Sequence, residues 1–118
     1  MVLAENRILL GLEQESLTIR FSIVDAAPPV QISDIRWYFT AAGTSDSNAI
    51  DITEQATIGE TVLTFSASLL ELTISGITQD ATGIYRLDAT NPAGTGSNFT
   101  DLEMVQGNQH LSYYAHNN

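Results

Sequence analysis

The side chains able to do proton-transfer or covalent chemistry are few in this chain and poorly placed for it. Both histidines, His110 and His116, fall in a polar, aperiodic stretch at 106–118, with Tyr113 and Tyr114 between them. An activated nucleophile needs a serine, threonine or thiol held against a general base. No motif gathers such a set here, and the chain has no cysteine. That absence removes thiol nucleophiles, disulfides, cysteine-zinc clusters and iron–sulfur sites together. Asp and Glu number 14, yet they form neither an EF-hand loop nor a clustered aspartate motif, so they read as a solvated surface. No catalytic residue, metal ligand or cofactor site is therefore expected. One modification signal stands out, the sequon Asn98-Phe99-Thr100, which matters only if the chain passes through a secretory lumen. Parity counted back from Leu102 and Met104 puts Asn98 on an inner face, unless a bulge near Gly94 or Gly96 shifts the register.

The charge balance narrows the partners. Four arginines, Arg7, Arg20, Arg36 and Arg86, are the only basic residues, and the formal net charge is −10. Nucleic acid needs a clustered basic surface that displaces counterions from phosphates, and anionic membranes need the same. Neither is an expected partner. No apolar run is long enough to span a bilayer, and Glu5 and Arg7 interrupt the opening residues where a signal peptide would be apolar. With 118 residues, 43% of them hydrophobic, the chain suits one domain with a single core, expected over residues 1–105, and a tail or linker at 106–118.

The elements that must position any site are strands. Helical periodicity is poor, whereas short alternating runs broken by Gly, Pro, Asn, Asp and Ser recur along the chain. Residues 8–12 read as a first edge segment and 16–24 as a half-buried strand with Leu17, Ile19, Phe21 and Ile23 inward. Pro28 and Pro29 break pairing. Alternation resumes over 32–40 with Ile35, Trp37 and Phe39 inward and Arg36 and Tyr38 outward. A polar stretch at 41–57 leaves room for short edge strands near 49–53. Strands follow at 61–66, 69–74, 84–90 and 97–105, the last two joined by Asn91-Pro92-Ala93-Gly94, a turn by composition.

The run Leu70-Glu71-Leu72-Thr73-Ile74-Ser75-Gly76-Ile77-Thr78-Gln79-Asp80-Ala81-Thr82-Gly83-Ile84-Tyr85-Arg86-Leu87 resembles the E-to-F stretch of immunoglobulin domains, L-x-I-x-x-V/I-x-x-x-D-x-G-x-Y-x-C, with Leu72, Ile74, Ile77, Gly83 and Tyr85 in register, Asp80 one residue ahead of the aspartate position, and Leu87 in the last. Leu17-Thr18-Ile19-Arg20-Phe21, Trp37 and Asn91-Pro92-Ala93-Gly94 with Leu102-Glu103-Met104 are similar to strand B, the buried strand-C tryptophan, and the final hairpin and strand of the I-set. The resemblance implies an all-β, immunoglobulin-like Greek-key sandwich of two antiparallel sheets. Its signature residues would be Phe21, Trp37, Leu72, Asp80, Gly83, Tyr85 and Leu87, with Tyr85 closing a tyrosine corner and Phe21 and Leu87 in place of the bridging cysteines. Such a bridge stabilises by roughly 4 kcal/mol. Burying Phe21 and Leu87 supplies about 1.5 to 3 kcal/mol each, so the exchange is survivable.

The superfold hosts many tasks, so function must come from a site. The sheet of strands C, F and G gathers Arg36, Tyr38, Arg86, Asp88 and Glu103 outward as a candidate binding face, against the plainer reading that the charges neutralise one another across strands. What the resemblance implies is a non-catalytic extracellular recognition module of an adhesion molecule or receptor ectodomain, a receptor tyrosine kinase among them, at the cell surface and binding protein. Edge strands leave a weak homodimer open. The alternative is a structural module of an intracellular, titin-like muscle or cytoskeletal protein.

Overall fold

Period-two alternation sets the strands, and burial follows it. Along the chain, Ile19 and Phe21, then Ile35, Trp37 and Phe39, then Tyr85, Leu87 and Ala89 turn to one interior. The computed structural model describes residues 1–24, 26 and 28–105; the tail with His110, Tyr113, Tyr114 and His116 lies outside them. Among the described residues the strands are β1 (Val2–Ala4), β2 (Ile8–Leu12), β3 (Ser16–Ile23), β4 (Ile35–Ala41), β5 (Ile50–Asp51), β6 (Thr57–Ile58), β7 (Thr61–Phe65), β8 (Glu71–Ser75), β9 (Gly83–Asn91) and β10 (Gly94–Val105). They form two five-stranded sheets, ordered β1-β3-β8-β7-β6 and β2-β10-β9-β4-β5. The fold is an all-β sandwich.

Among the described residues every strand pairing is antiparallel except one. β2 runs parallel to β10, with register partners from Ile8 opposite Asp101 to Leu12 opposite Val105. The cause is the N-terminal segment. β1 pairs antiparallel with β3 in the first sheet, and residues 5–7 carry the chain across to the second sheet without reversing it. The crossing is fastened by Glu5 N–H to the Arg20 carbonyl at 3.0 Å, Asp101 N–H to the Arg7 carbonyl at 2.8 Å, and the Thr100 hydroxyl to the Asn6 carbonyl at 2.6 Å. The expectation of two antiparallel sheets thus holds for every pair but this one.

Other differences are local. Residues 32–34 form a 3-10 turn rather than the start of a strand, because Ser33 and Asp34 sit after a proline pair and favour turns; Ile32 is left 55% exposed. Leu69 and Leu70 precede β8 instead of belonging to it. Leu69 has φ +61°, which ends any extended run, and its N–H closes on the Ser66 carbonyl at 3.0 Å. β1, and β6 at the far end of the polar stretch 41–57, are too short to produce a visible period.

At the centre, Trp37 is fully buried. Its indole Nε1–H donates to the Leu69 carbonyl at 2.7 Å, and its ring meets Phe21 and Phe65 edge-on at centroid distances of 5.2 and 5.7 Å. Leu87, also fully buried, is its register partner on β9. Apolar and aromatic packing fills the sheet-to-sheet space.

Tyr85 is fully buried, stacks against Phe39 at 4.8 Å, and donates its hydroxyl to the Ala81 carbonyl. Burial drives its phenol above the ordinary tyrosine value. Above about pH 10 the unfolded chain gives up this proton while the folded one keeps it, so stability falls as pH rises, by at most about 1.4 kcal/mol per pH unit. Urea titrations between pH 9 and 12 should show that decline in the native sequence. The Tyr85→Phe variant, weaker by about 1 to 2 kcal/mol at pH 7, should show a shallower one.

Candidate functional site

The outer face of the second sheet is built by residues that alternate with the core positions of β4, β9 and β10. Cross-strand register sets Arg36 opposite Asp88 and Tyr38 opposite Arg86, then Asp88 opposite Ser97 and Arg86 opposite Phe99. Four of the five candidate residues, Arg36, Tyr38, Arg86 and Asp88, therefore share one patch. Glu103 does not. It follows Leu102, the partner of Gly83, and stands about 20 Å along β10 from Ser97 at the usual strand rise.

Within the patch the charges are partnered, though not as cross-strand pairing alone would give. Arg36 turns away from Asp88 to Asp51 on β5, with Nε and Nη2 at 2.9 and 2.6 Å from one carboxylate oxygen. Asp51 also accepts the Thr53 N–H at 2.9 Å. Burial pushes its carboxyl up, but the hydrogen bonds from Thr53 and Arg36 outweigh that and hold it below the usual aspartate range. The Arg36 guanidinium is raised in turn, chiefly by its hydrogen bond to Asp51. Arg86 pairs with Asp88 on its own strand, Nε to Oδ1 at 3.0 Å, and the Ser97 hydroxyl donates to the same oxygen at 2.7 Å. The Arg86 guanidinium carbon also lies 4.6 Å from the centroid of the Tyr38 ring, within cation–π range.

Two residues of this face were not singled out from the sequence. Phe99, 37% exposed, continues the row beyond Arg86, and the Arg7 guanidinium carbon lies 5.1 Å from its centroid. Their association needs the cross-sheet register, which no local pattern in the sequence carries.

The remaining signature and modification residues sort by environment. Phe21, Trp37, Leu72, Tyr85 and Leu87 lie in the core, and Gly83 lies against the backbone of β4, where a Cβ would come 2.1 Å from the Thr40 carbonyl oxygen. Asp80 does not share the core. It sits exposed on a 3-10 turn, Gln79–Ala81, as a carboxylate without an arginine partner must. Asn98 is half-buried and donates Nδ2–H to the Val2 carbonyl at 3.1 Å. Thr100 is buried, with its hydroxyl on Asn6. A sugar on Asn98 would have to replace the bond that holds β1 to β10.

Among the described residues no three His, Asp or Glu side chains converge as metal ligands would. No protein-family model matches the chain, and no curated protein matches it in sequence. Among solved structures, a chimeric titin Z1Z2 functionalized with a KLER exogenous peptide from decorin is similar at 20% identity and a TM-score of 0.57, covering 89% of this chain and 94% of that one. At that identity the likeness carries the fold, an immunoglobulin-like β-sandwich.

Proposed function

We propose that this chain is a non-catalytic immunoglobulin-like module of a longer protein, of the titin-like structural kind, which transmits load along the chain and offers a sheet face to protein partners. The observation that carries this reading is the parallel pairing of β2 with β10. The N-terminus enters β2 at one end of that pair and the C-terminus leaves β10 at the other. Tension between the two ends therefore runs along both strands in opposite senses and shears their hydrogen bonds together. A pair loaded at one end gives way bond by bond; one loaded in shear does not.

The intracellular setting is favoured over the cell surface by two features. The core dispenses with cysteine, which suits a reducing compartment. The sequon, the strongest pointer to secretion, has its amide and hydroxyl engaged in folding contacts. The I-set subtype and bridge-free signature belong to the same proposal, supported by Phe21, Trp37 and Leu87 packed where an inter-sheet bridge would stand.

Stretching the full chain from its two termini in a single-molecule force experiment tests the load-bearing role. The expected trace shows one cooperative rupture releasing the whole domain. Stepwise peeling of the N-terminal strands at low force, before the core opens, would oppose it.

A further inference from the structure

Across the second sheet runs a row in which aromatic rings and guanidinium groups alternate: Tyr38, Arg86, Phe99 and Arg7. Tyr38 and Arg86 are register partners, as are Arg86 and Phe99, and Arg7 reaches Phe99 from the crossing segment. Between the two arginines is a groove of about 240 Å³ lined by Arg7, Arg86, Ser97, Asn98 and Phe99. In a chain of net charge −10 with only four basic residues, two of them converge on this groove.

Their charge is incompletely used. Arg20 pairs with Glu5 and Glu71, Arg36 with Asp51 and Arg86 with Asp88. Arg7 is exposed and, among the described residues, is the arginine with no carboxylate within ion-pair distance. Arg86 gives Nε and Nη2 to Asp88, which leaves further N–H donors on its guanidinium, since that group carries five. Phe99 supplies an exposed apolar floor between them. Guanidinium groups bind carboxylates through short, charge-assisted hydrogen bonds, and aromatic and arginine side chains are the residue types that dominate protein interfaces.

We propose that this groove receives a single Glu or Asp carboxylate from a partner protein, presented beside an apolar side chain that packs on Phe99. One carboxylate is the occupant that fits. It complements the two guanidinium groups, while a strongly acidic segment would be repelled by the molecule as a whole. The inference rests on the reading of this domain as a protein-binding module, and it is independent of the load-bearing role.

The test is a nuclear magnetic resonance titration of the full chain with two capped peptides, acetyl-Val-Glu-Val-amide and acetyl-Val-Gln-Val-amide, followed at the arginine Nε–H and Phe99 amide signals. The Glu peptide should give saturable shifts at Arg7, Arg86 and Phe99. The Gln peptide should bind about tenfold more weakly, as expected for losing a charge-assisted contact. Arg7→Gln should weaken the Glu peptide to the same degree, keep the backbone spectrum of the folded domain, and leave the end-to-end rupture force unchanged. Equal binding of both peptides, or unaltered binding by Arg7→Gln, overturns the proposal without touching the mechanical reading. Shifts of the same signals with protein concentration alone would also overturn it, assigning the groove to a second copy of this chain.

Discussion

Replacing Gly83 by alanine is expected to cost about 4 kcal/mol or more, the range reserved for substitutions that force backbone apart. Gly83 opens β9 with φ +142°, and a Cβ there would lie 2.1 Å from the Thr40 carbonyl oxygen and 2.8 Å from the Ala42 nitrogen. Neither atom can step aside, because both belong to backbone at the end of β4, where Ala41 pairs with Gly83 and Ala42 N–H bonds the Thr82 carbonyl at 3.0 Å. Gly43→Ala is the control. Its φ is also positive, at +83°, but nothing lies within 4 Å of the added carbon, so only the left-handed penalty of about 1 to 2 kcal/mol applies. Equilibrium urea unfolding of the two variants should separate them clearly. Equal losses would mean that conformation alone, and not the close approach of β4 and β9, makes position 83 a glycine.

The second large effect is at Trp37. Trp37→Ala should lose about 3 to 5 kcal/mol, as large core truncations do when their surroundings only partly collapse. Three partners are affected together: the Phe21 and Phe65 rings lose their edge contacts, and the Leu69 carbonyl loses its donor. That loss matters more here than in a bridged sandwich, because no covalent link holds the sheets while the core repacks. Val62→Ala, at a position 47% exposed, should change stability by less than about 0.5 kcal/mol. A loss below about 2 kcal/mol at Trp37 would mean that the sheets are held mainly elsewhere.

Much of the sandwich is legible in the sequence because long strands write their own period. The alternation of β3, β4 and β9 separates Phe21, Trp37, Tyr85 and Leu87 from the outward residues with no knowledge of partners. What escapes is information that exists only between strands. The parallel pairing of β2 with β10 depends on how residues 5–7 cross the edge of the sandwich, and nothing in the pattern of 8–12 says which neighbour it will meet. β5 falls within the short edge strands expected near 49–53, whereas the two-residue β6 is held by the register of its neighbour β7, below the length at which a period can be seen.

The binding face divides along the same line. That Arg36, Tyr38, Arg86 and Asp88 face outward follows from parity. That Arg36 would bond Asp51 rather than its register partner Asp88 follows from where the chain after β4 returns, a matter of loop geometry. Arg7 and Phe99 were invisible as a pair for the same reason: they are distant in sequence and meet only because the N-terminal crossing brings Arg7 to the edge of β10. Asp80 illustrates the converse. The sequence sets it one residue ahead of the family pattern's aspartate, close enough to be counted with the signature residues, yet in the fold it remains at the surface, outside the core.

The load-bearing claim is tested most directly by changing only the direction of force. One form of the protein is pulled by its N- and C-termini; the other is pulled by the C-terminus and by a cysteine introduced as Glu13→Cys, just beyond Leu12 at the same end of the pair as Val105. The first geometry shears β2 against β10, and the second peels them apart from one end. The account predicts a rupture force several times higher in shear than in peeling, at equal thermodynamic stability of the two forms. Equal forces in the two geometries would contradict it.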